Sequence, residues 1–244
     1  MTGPRLYDEL APWYTLLTPK EEYAEEAAMY GDALARAAPD AETMLELGCG
    51  AGHNAYHLKA RYRCTLTDLA PSMLALSEAL NPECAHHLGD MRALRLTERF
   101  DLVLVHDAVM YMRSEDDLRR AMETAHAHLH PGGAALFVPD FVKETFVEST
   151  QVFEAEDEDR AMRCVEWDWD PDPDDDTFVG DYVFVLREGR GEVRVVHDRH
   201  VVGCFSRESW LRLLREVGFQ PELLIHAHEP PYEAQELFLA KRLE

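Results

Sequence analysis

Ten residues decide the fold: Thr43-Met44-Leu45-Glu46-Leu47-Gly48-Cys49-Gly50-Ala51-Gly52. The first five have the apolar pattern of a buried strand, and the next five form a glycine-rich turn. Glycines between a strand and a helix let the backbone approach a ligand closely, and the helix that follows presents free N–H groups. Asp68 ends the next predicted strand, where an acidic residue suits hydrogen bonds to ribose hydroxyls. The stretch therefore predicts a binding turn for a ligand that contains ribose.

Strand and helix patterns alternate on both sides of this turn. A helix is predicted from Glu22 to about Ala37, with Thr18-Pro19-Lys20-Glu21 as a capping box. Repeated β–α units with apolar strands predict an α/β protein with a Rossmann-like, doubly wound, mostly parallel seven-stranded sheet. The further strands are predicted at 64–67, 85–88, 100–105, 134–138, 223–225 and 237–240, and the further helices at 54–60, 71–80, 115–129 and 207–217.

The alternation stops between residues 140 and 204. Three β-rich stretches, 162–169, 178–187 and 192–203, are separated by turn-forming sequences and predict a small antiparallel β insert after strand five. The insert is acidic, because residues 154–188 hold 14 Asp+Glu and 3 Arg. Two interpretations remain open: a solvated hairpin, or an acidic rim that attracts cationic substrates such as amines. His197 and His200 point to opposite faces of the last stretch, so one of them can line a substrate cavity.

Composition excludes several classes of protein. The 244 residues include 24 Lys+Arg and 47 Asp+Glu, a net charge of −23, which argues against nucleic acid as a partner. No apolar run approaches the ~18 residues of a membrane span, and the first residues lack the apolar core of a signal peptide. The five cysteines form no C-x-x-C pair, which indicates a reducing cytoplasm and no zinc site. The dinucleotide fingerprint G-x-G-x-x-G requires glycine where the chain has His53, which disfavours a nicotinamide or flavin oxidoreductase.

The glycine-rich stretch resembles the first motif of the class I S-adenosylmethionine-dependent methyltransferases. Later elements match that family in order: Asp68 after strand two, Gly89-Asp90-Met91 after strand three, His106-Asp107-Ala108 after strand four, and Leu129-His130-Pro131-Gly132-Gly133 before strand five. The chain is also similar to amino-sugar N,N-dimethyltransferases of antibiotic pathways. These enzymes have an N-terminal aromatic segment that folds over the cofactor and a small antiparallel sheet after strand five.

The resemblance implies S-adenosyl-L-methionine as cofactor and S-adenosyl-L-homocysteine as product. It also implies an N-terminal helical lid at 1–40, a cofactor-binding core at 41–140, an antiparallel β cap on the substrate side at 141–204, and residues 205–244 completing the core sheet. Asp68 would bind the ribose, Asp90 and Met91 would bind the adenine, and His106 would lie by the methionine part. The full expected cofactor set is Tyr14, Glu46, Gly48, Gly50, Gly52, Asp68, Leu69, Asp90, Met91 and His106.

The expected reaction is transfer of a methyl group to N or O of a small-molecule acceptor by direct in-line displacement. The acceptor expected from the resemblance is an amine or an amino sugar, and the chain is expected to be a monomer or homodimer. His106 and Asp107, at the carboxyl end of strand four, are the candidate catalytic residues. The alternatives are a methyltransferase acting on peptide, protein or tRNA, and a cofactor-binding protein without catalysis.

Overall fold

The large sheet contains the strands that the sequence predicted around the glycine turn. The computed structural model describes residues 3–226 and 235–243. Seven strands lie in the order β10-β11-β5-β4-β1-β2-β3, all parallel except β11, which is antiparallel to both β10 and β5. They are β1 (Thr43–Leu47), β2 (Arg63–Asp68), β3 (Ala85–Leu88), β4 (Phe100–His106), β5 (Leu129–Val138), β10 (Phe219–His226) and β11 (Gln235–Arg242).

Helices cover both faces of this sheet, and their ends follow local sequence signals. The Ser114 side chain caps α5 at the backbone N–H of Asp117, and the Ser206 side chain caps α6 at Ser209. Gly218 ends α6 with a φ of 107°, a left-handed conformation that favours glycine. The predicted α/β fold class is confirmed. The helices are α1 (Ala11–Leu17), α2 (Ala24–Ala37), α3 (His53–Leu58), α4 (Pro71–Leu80), α5 (Glu115–His128) and α6 (Arg207–Val217).

A second sheet is built from the residues inserted after β5. Its four strands are antiparallel in chain order: β6 (Ser149–Glu156), β7 (Arg160–Trp169), β8 (Thr177–Glu188) and β9 (Arg194–Gly203). The sequence predicted three β-rich stretches here and missed β6. This edge strand is largely exposed and rich in Ser, Thr, Gln and Glu, so it has no apolar alternation. Its pairing with β7 makes it a strand.

The N-terminal segment differs from the prediction. Helix α1 was not predicted, and Thr18 ends it by donating its hydroxyl to the carbonyl of Tyr14 instead of capping a later helix. A 3-10 helix follows at Lys20–Tyr23, and α2 begins only at Ala24, without a side-chain cap. The predicted capping box is therefore wrong, because Thr18 is used as the C-terminal end of the preceding helix.

The N-terminal segment packs against the inner face of the second sheet. Leu6, Leu10 and Trp13 are buried in one apolar cluster with Phe184 and Val196. The central strands of the large sheet are buried between two further clusters, one on each face. Within the residues that the structure describes, no helix has the length and apolar character needed to cross a membrane.

Candidate active site

The glycine turn after β1 leaves open space at one of its glycines. Gly48, Gly50 and Gly52 all have positive φ, at 78°, 52° and 77°. A Cβ at Gly48 would meet the Cβ of Ala108 at 2.3 Å, and one at Gly52 would meet Ser77 Oγ at 2.4 Å. A Cβ at Gly50 would have only the Tyr14 hydroxyl near it, at 3.8 Å. Gly48 and Gly52 are thus required by protein packing, whereas Gly50 borders space that a ligand can enter.

Asp68 holds the same turn from the end of β2. Its carboxylate accepts hydrogen bonds from the backbone N–H of Gly50 at 2.8 Å and of Ala70 at 2.7 Å, and burial raises its pKa. Leu69 follows with 63% of its surface exposed, while Met91 is buried beside Gly48. The structure therefore places Gly50, Asp68, Leu69 and Met91, four predicted cofactor residues, at or beside the glycine turn.

Two other predicted cofactor residues have different surroundings. Asp90 ion-pairs with Arg92 at 2.7 Å, and this guanidinium lowers the pKa of its carboxyl group. Its carboxylate is thus already engaged by protein. Glu46 is only 2% exposed, its Oε2 atom has no hydrogen-bond partner among the residues that the structure describes, and burial raises its pKa to about 8. A buried polar atom is seldom left unpaired, so Glu46 fits a site completed by a bound molecule.

A cavity of about 330 Å³ opens next to the turn, at the carboxyl ends of β4 and β5. Crevices outside the carboxyl ends of parallel strands are the usual ligand sites of such sheets. The inner face of the second sheet and the N-terminal segment form the other walls. No Lys or Arg lines it among the residues described. Its polar lining consists of five carboxylates (Glu22, Asp107, Asp140, Glu166, Asp168), five tyrosines (Tyr7, Tyr14, Tyr23, Tyr111, Tyr182), Thr18 and His200.

The Asp107 side chain lines this cavity, whereas the His106 side chain contacts Asp107 and does not line the cavity. The Asp107 side chain is 47% exposed, and His106 Nε2 lies 2.7 Å from its Oδ1 atom. His106 is buried, with Nδ1 3.2 Å from the Asn54 amide nitrogen, and burial lowers its pKa. The neutral ring can thus accept from the Asn54 amide at Nδ1, while Nε2 lies in contact with the Asp107 carboxylate. His106 does not line the cavity, so of the two predicted catalytic residues only Asp107 can touch an acceptor there.

Asp140, which sequence reasoning missed, is paired with Asp107. Burial raises the pKa of Asp107 to about 6. Burial also raises the pKa of Asp140 well above its usual range, and the charge of Asp107 and a hydrogen bond with Asp107 raise it further. The two carboxyl groups therefore hold one proton near neutral pH, with Asp140 protonated first. Asp140 lies two residues after the end of β5, and Asp107 follows β4 directly. Because β4 and β5 are parallel neighbours, their carboxyl ends meet at one edge, and this signal could have identified Asp140.

Of the two histidines on β9, His200 lines the cavity. Its Nδ1 lies 2.8 Å from the Tyr111 hydroxyl, and its Nε2 lies 3.1 Å from Asp198, which also accepts from the backbone N–H of Leu6 at 2.8 Å. Tyr111 donates in turn to the Tyr7 hydroxyl at 2.9 Å. This network joins the N-terminal segment, the second sheet and the residues after β4. His197 points to the outer face and contacts Asp181 at 2.6 Å.

Tyr14 separates the cavity from the glycine turn. Its hydroxyl is near Gly50, and its ring stacks on His53 with centroids 5.9 Å apart. Tyr23 contacts the same histidine edge-on at 4.9 Å. Burial lowers the pKa of His53 to about 4, so the ring is neutral. The position where a dinucleotide fingerprint needs glycine is thus filled by a ring that supports two tyrosines of the cavity wall.

Part of the chain matches a known protein family. The family described as "Methyltransferase domain" matches residues 44–133. A dTDP-3-amino-3,4,6-trideoxy-alpha-D-glucopyranose N,N-dimethyltransferase of Streptomyces venezuelae is 30% identical over 130 residues, which cover 52% of this chain and 55% of that protein. The chain thus spans about half the length of the curated relatives it matches.

Two solved structures are similar over nearly the whole chain. DesVI of Streptomyces venezuelae has a TM-score of 0.84 at 22% identity, covering 96% of this chain and 97% of that one. CalS10, described as an amino pentose methyltransferase from Micromonospora echinaspora with bound S-adenosylmethionine, has a TM-score of 0.78 at 26% identity, covering 90% and 91%. The predicted resemblance to the methyltransferase superfamily, and within it to amino-sugar N-methyltransferases, is confirmed.

Proposed function

We propose that this chain, which carries a methyltransferase domain at residues 44–133, transfers a methyl group from S-adenosylmethionine to an amine nitrogen of a small molecule, with amino sugars as the acceptor class. One observation carries the proposal: the open glycine turn adjoins, across Tyr14, a cavity with five carboxylates and no Lys or Arg in its described lining. A negative cavity attracts ammonium groups, and the turn has the space that a cofactor needs.

The residues around the turn fit S-adenosylmethionine. Gly50 and Asp68 would hold the ribose side, Leu69 and Met91 would pack on the adenine, and Glu46 has an unpaired buried oxygen. When bound, the cofactor supplies an electrophilic methyl carbon, to which the amine lone pair forms the N–C bond as the S–C bond breaks and S-adenosylhomocysteine leaves. The contribution of Asp90 to adenine binding stays a prediction, because its carboxylate contacts Arg92.

The protein has to hold the amine and remove its proton, since an ammonium ion has no free lone pair. Asp107 lines the cavity beside Tyr14 and ionises near pH 6, so at neutral pH it can accept that proton. His106 would be a positioning residue, because its Nε2 atom contacts the Asp107 carboxylate and its ring does not line the cavity. Asp140, which holds the one proton of the pair, would keep Asp107 oriented towards the acceptor.

The N-terminal segment and the second sheet, which form the other walls of the cavity, would enclose the cofactor and the acceptor. Residues 1–40 would cover the cofactor and residues 141–204 would cap the acceptor, as the sequence led us to expect. Tyr7, Tyr111 and His200 tie these two parts together, so acceptor binding would couple them. The proposed compartment is the cytoplasm, which is supported by five free cysteines.

The rate should depend on pH through Asp107. Its ionised form is the base, so kcat/KM at saturating cofactor should rise with pH through about 6 and fall off tenfold per pH unit below it. The measurement is a pH–rate profile for an amine acceptor, with the product identified by mass spectrometry. In the Asp107→Asn variant the limb near pH 6 should disappear. An unchanged limb in that variant would assign it to another group.

Cofactor binding is tested by calorimetric titration with S-adenosylmethionine and S-adenosylhomocysteine. Asp68→Asn should weaken binding at least about tenfold, or ~1.4 kcal/mol, because the amide cannot accept from both Gly50 N–H and Ala70 N–H and bind ribose. Asp174→Asn, at an exposed turn, is the matched control and should bind as wild type. A folded wild-type protein that binds neither compound would overturn the proposal.

A further inference from the structure

We infer that the acceptor of this site is a phosphate-free ammonium compound, bound through Asp168 and Glu166, and is not a sugar carried on a nucleoside diphosphate. The inference rests on the proposed function and narrows its substrate class. It differs from the curated relative described above, whose name specifies a dTDP-linked amino sugar. The reaction would then follow the transfer of the amino sugar from its nucleotide, or act on an amine that never carried one.

Asp168 is the first reason. It lies on β7, lines the cavity with its side chain, and is only 4% exposed. No described residue donates a hydrogen bond to its carboxylate, and burial together with Glu166 and Asp140 raises its pKa to about 7. The carboxylate therefore borders the cavity without a protein donor among the described residues, and a bound cation would supply the opposite charge and hydrogen-bond donors.

The surroundings of Asp168 leave room for such a cation. Gly180 is its partner on β8, and a Cβ there would lie 3.0 Å from Asp168 Oδ1. Glu166 lies two residues away on the same face of β7 and accepts from the Tyr182 hydroxyl at 2.5 Å. Phe141, Phe153 and Phe178 provide apolar surface in the same cavity. This combination of carboxylates and aromatic rings suits an amine whose carbon skeleton is largely apolar or deoxygenated.

The second reason is the absence of cations for a diphosphate. Proteins bind phosphates mainly with Arg and Lys, and none lines the cavity among residues 3–226 and 235–243. The remaining positions, 1–2, 227–234 and 244, contain neither residue type in the sequence. A diphosphate would instead meet carboxyl groups, and those that are ionised would repel it, because like charges a few ångströms apart repel.

Three basic residues, on the second sheet and shortly after β5, are already paired. Arg163 contacts Glu154 and Glu156, Arg199 contacts Asp181, and Lys143 contacts Asp176. Arg113 is exposed, follows the 3-10 helix Ala108–Tyr111, and is not part of the cavity lining. It is therefore the residue to test if a nucleotide binds at the mouth of the cavity.

A matched pair of acceptors tests the inference. The probes are dTDP-3-amino-3,4,6-trideoxy-α-D-glucopyranose and the methyl glycoside of the same amino sugar, which differ only in the nucleoside diphosphate. We expect kcat/KM to favour the glycoside at least about tenfold, and dTDP titrated into the S-adenosylhomocysteine-loaded protein to give no heat at millimolar concentration. Preference for the nucleotide sugar, or micromolar dTDP binding that Arg113→Ala weakens, would overturn the inference.

The role of Asp168 is tested in the same assay. Asp168→Asn keeps the volume and removes the charge, so KM for the glycoside should rise at least about tenfold while kcat changes little. Asp174→Asn is the control and should leave both constants unchanged. A kcat loss and a lower melting temperature with unchanged KM would indicate a structural role and refute the assignment.

The outcomes separate this inference from the proposed function. An N-methylated nucleotide sugar as the better product would leave the proposed function intact and refute the inference alone. Methylation of hydroxyl groups with amines untouched would refute the proposed function. If neither sugar is methylated, the dTDP titration still decides, because nucleotide binding would contradict a cavity without phosphate-binding groups.

Discussion

Replacement of Asp107 by asparagine should lower kcat for an amine acceptor by about 10²–10⁴-fold, the usual contribution of a general base. Asparagine has the same shape but cannot accept the proton of an ammonium group. It also tolerates the positive φ of 39° at this position, which among the described residues no other non-glycine residue has. The loss should therefore come from the chemistry and not from misfolding. Steady-state kinetics at saturating cofactor, with S-adenosylmethionine affinity as a folding control, measure it.

Two further variants locate the source of this loss. Asp140→Ala removes the hydrogen bond that lowers the pKa of the Asp107 carboxyl group, so it should shift the pH limb of the reaction above 6. His106→Asn should reduce kcat less than Asp107→Asn, since His106 touches Asp107 and not the cavity. Near-wild-type turnover in Asp107→Asn would show that Asp107 is not the general base. Orientation of the acceptor would then be the main catalytic effect of the cavity.

Replacement of Trp210 by alanine should lower the free energy of unfolding by about 3–5 kcal/mol, as for other large buried aromatic residues. Trp210 lies on α6, is fully buried, and stacks on Phe238 of β11 with centroids 4.8 Å apart. It also contacts Phe137 of β5 at 6.1 Å. The cavity left by alanine would separate α6 from the antiparallel edge of the large sheet. Urea unfolding followed by circular dichroism measures the change.

Trp210→Phe is the matched variant for this prediction. The Nε1 atom of Trp210 is buried and has no hydrogen-bond partner within residues 3–226 and 235–243, so phenylalanine removes an unsatisfied donor while it retains aromatic packing. We expect its destabilisation to be less than half that of Trp210→Ala. Equal losses in the two variants would mean that the indole N–H does have a partner in solution.

The order of strands, turns and helices in the large sheet could be read from the sequence because each element carries a local signal. Glycine is needed at Gly48, Gly50 and Gly52 because the backbone there has positive φ, and Ser114 and Ser206 cap helices within three residues. Strand β6 and helix α1 lack such signals. The first is a polar edge strand, and the second precedes a threonine that resembled the start of a helix.

The sequence by itself determined the fold class, the glycine turn with Asp68, and the presence of carboxylates after β4 and on the insert. Only the tertiary structure decided which of them share a cavity. Asp140 joins Asp107 through strand pairing, and Asp168 and His200 reach the same space because the second sheet packs over it. These contacts join distant parts of the sequence: the backbone N–H of Leu6 donates to Asp198, which is 192 residues away along the chain. A pattern of alternation tells which face of a strand a residue occupies, but what that face meets depends on packing between distant segments, and local preferences do not encode it.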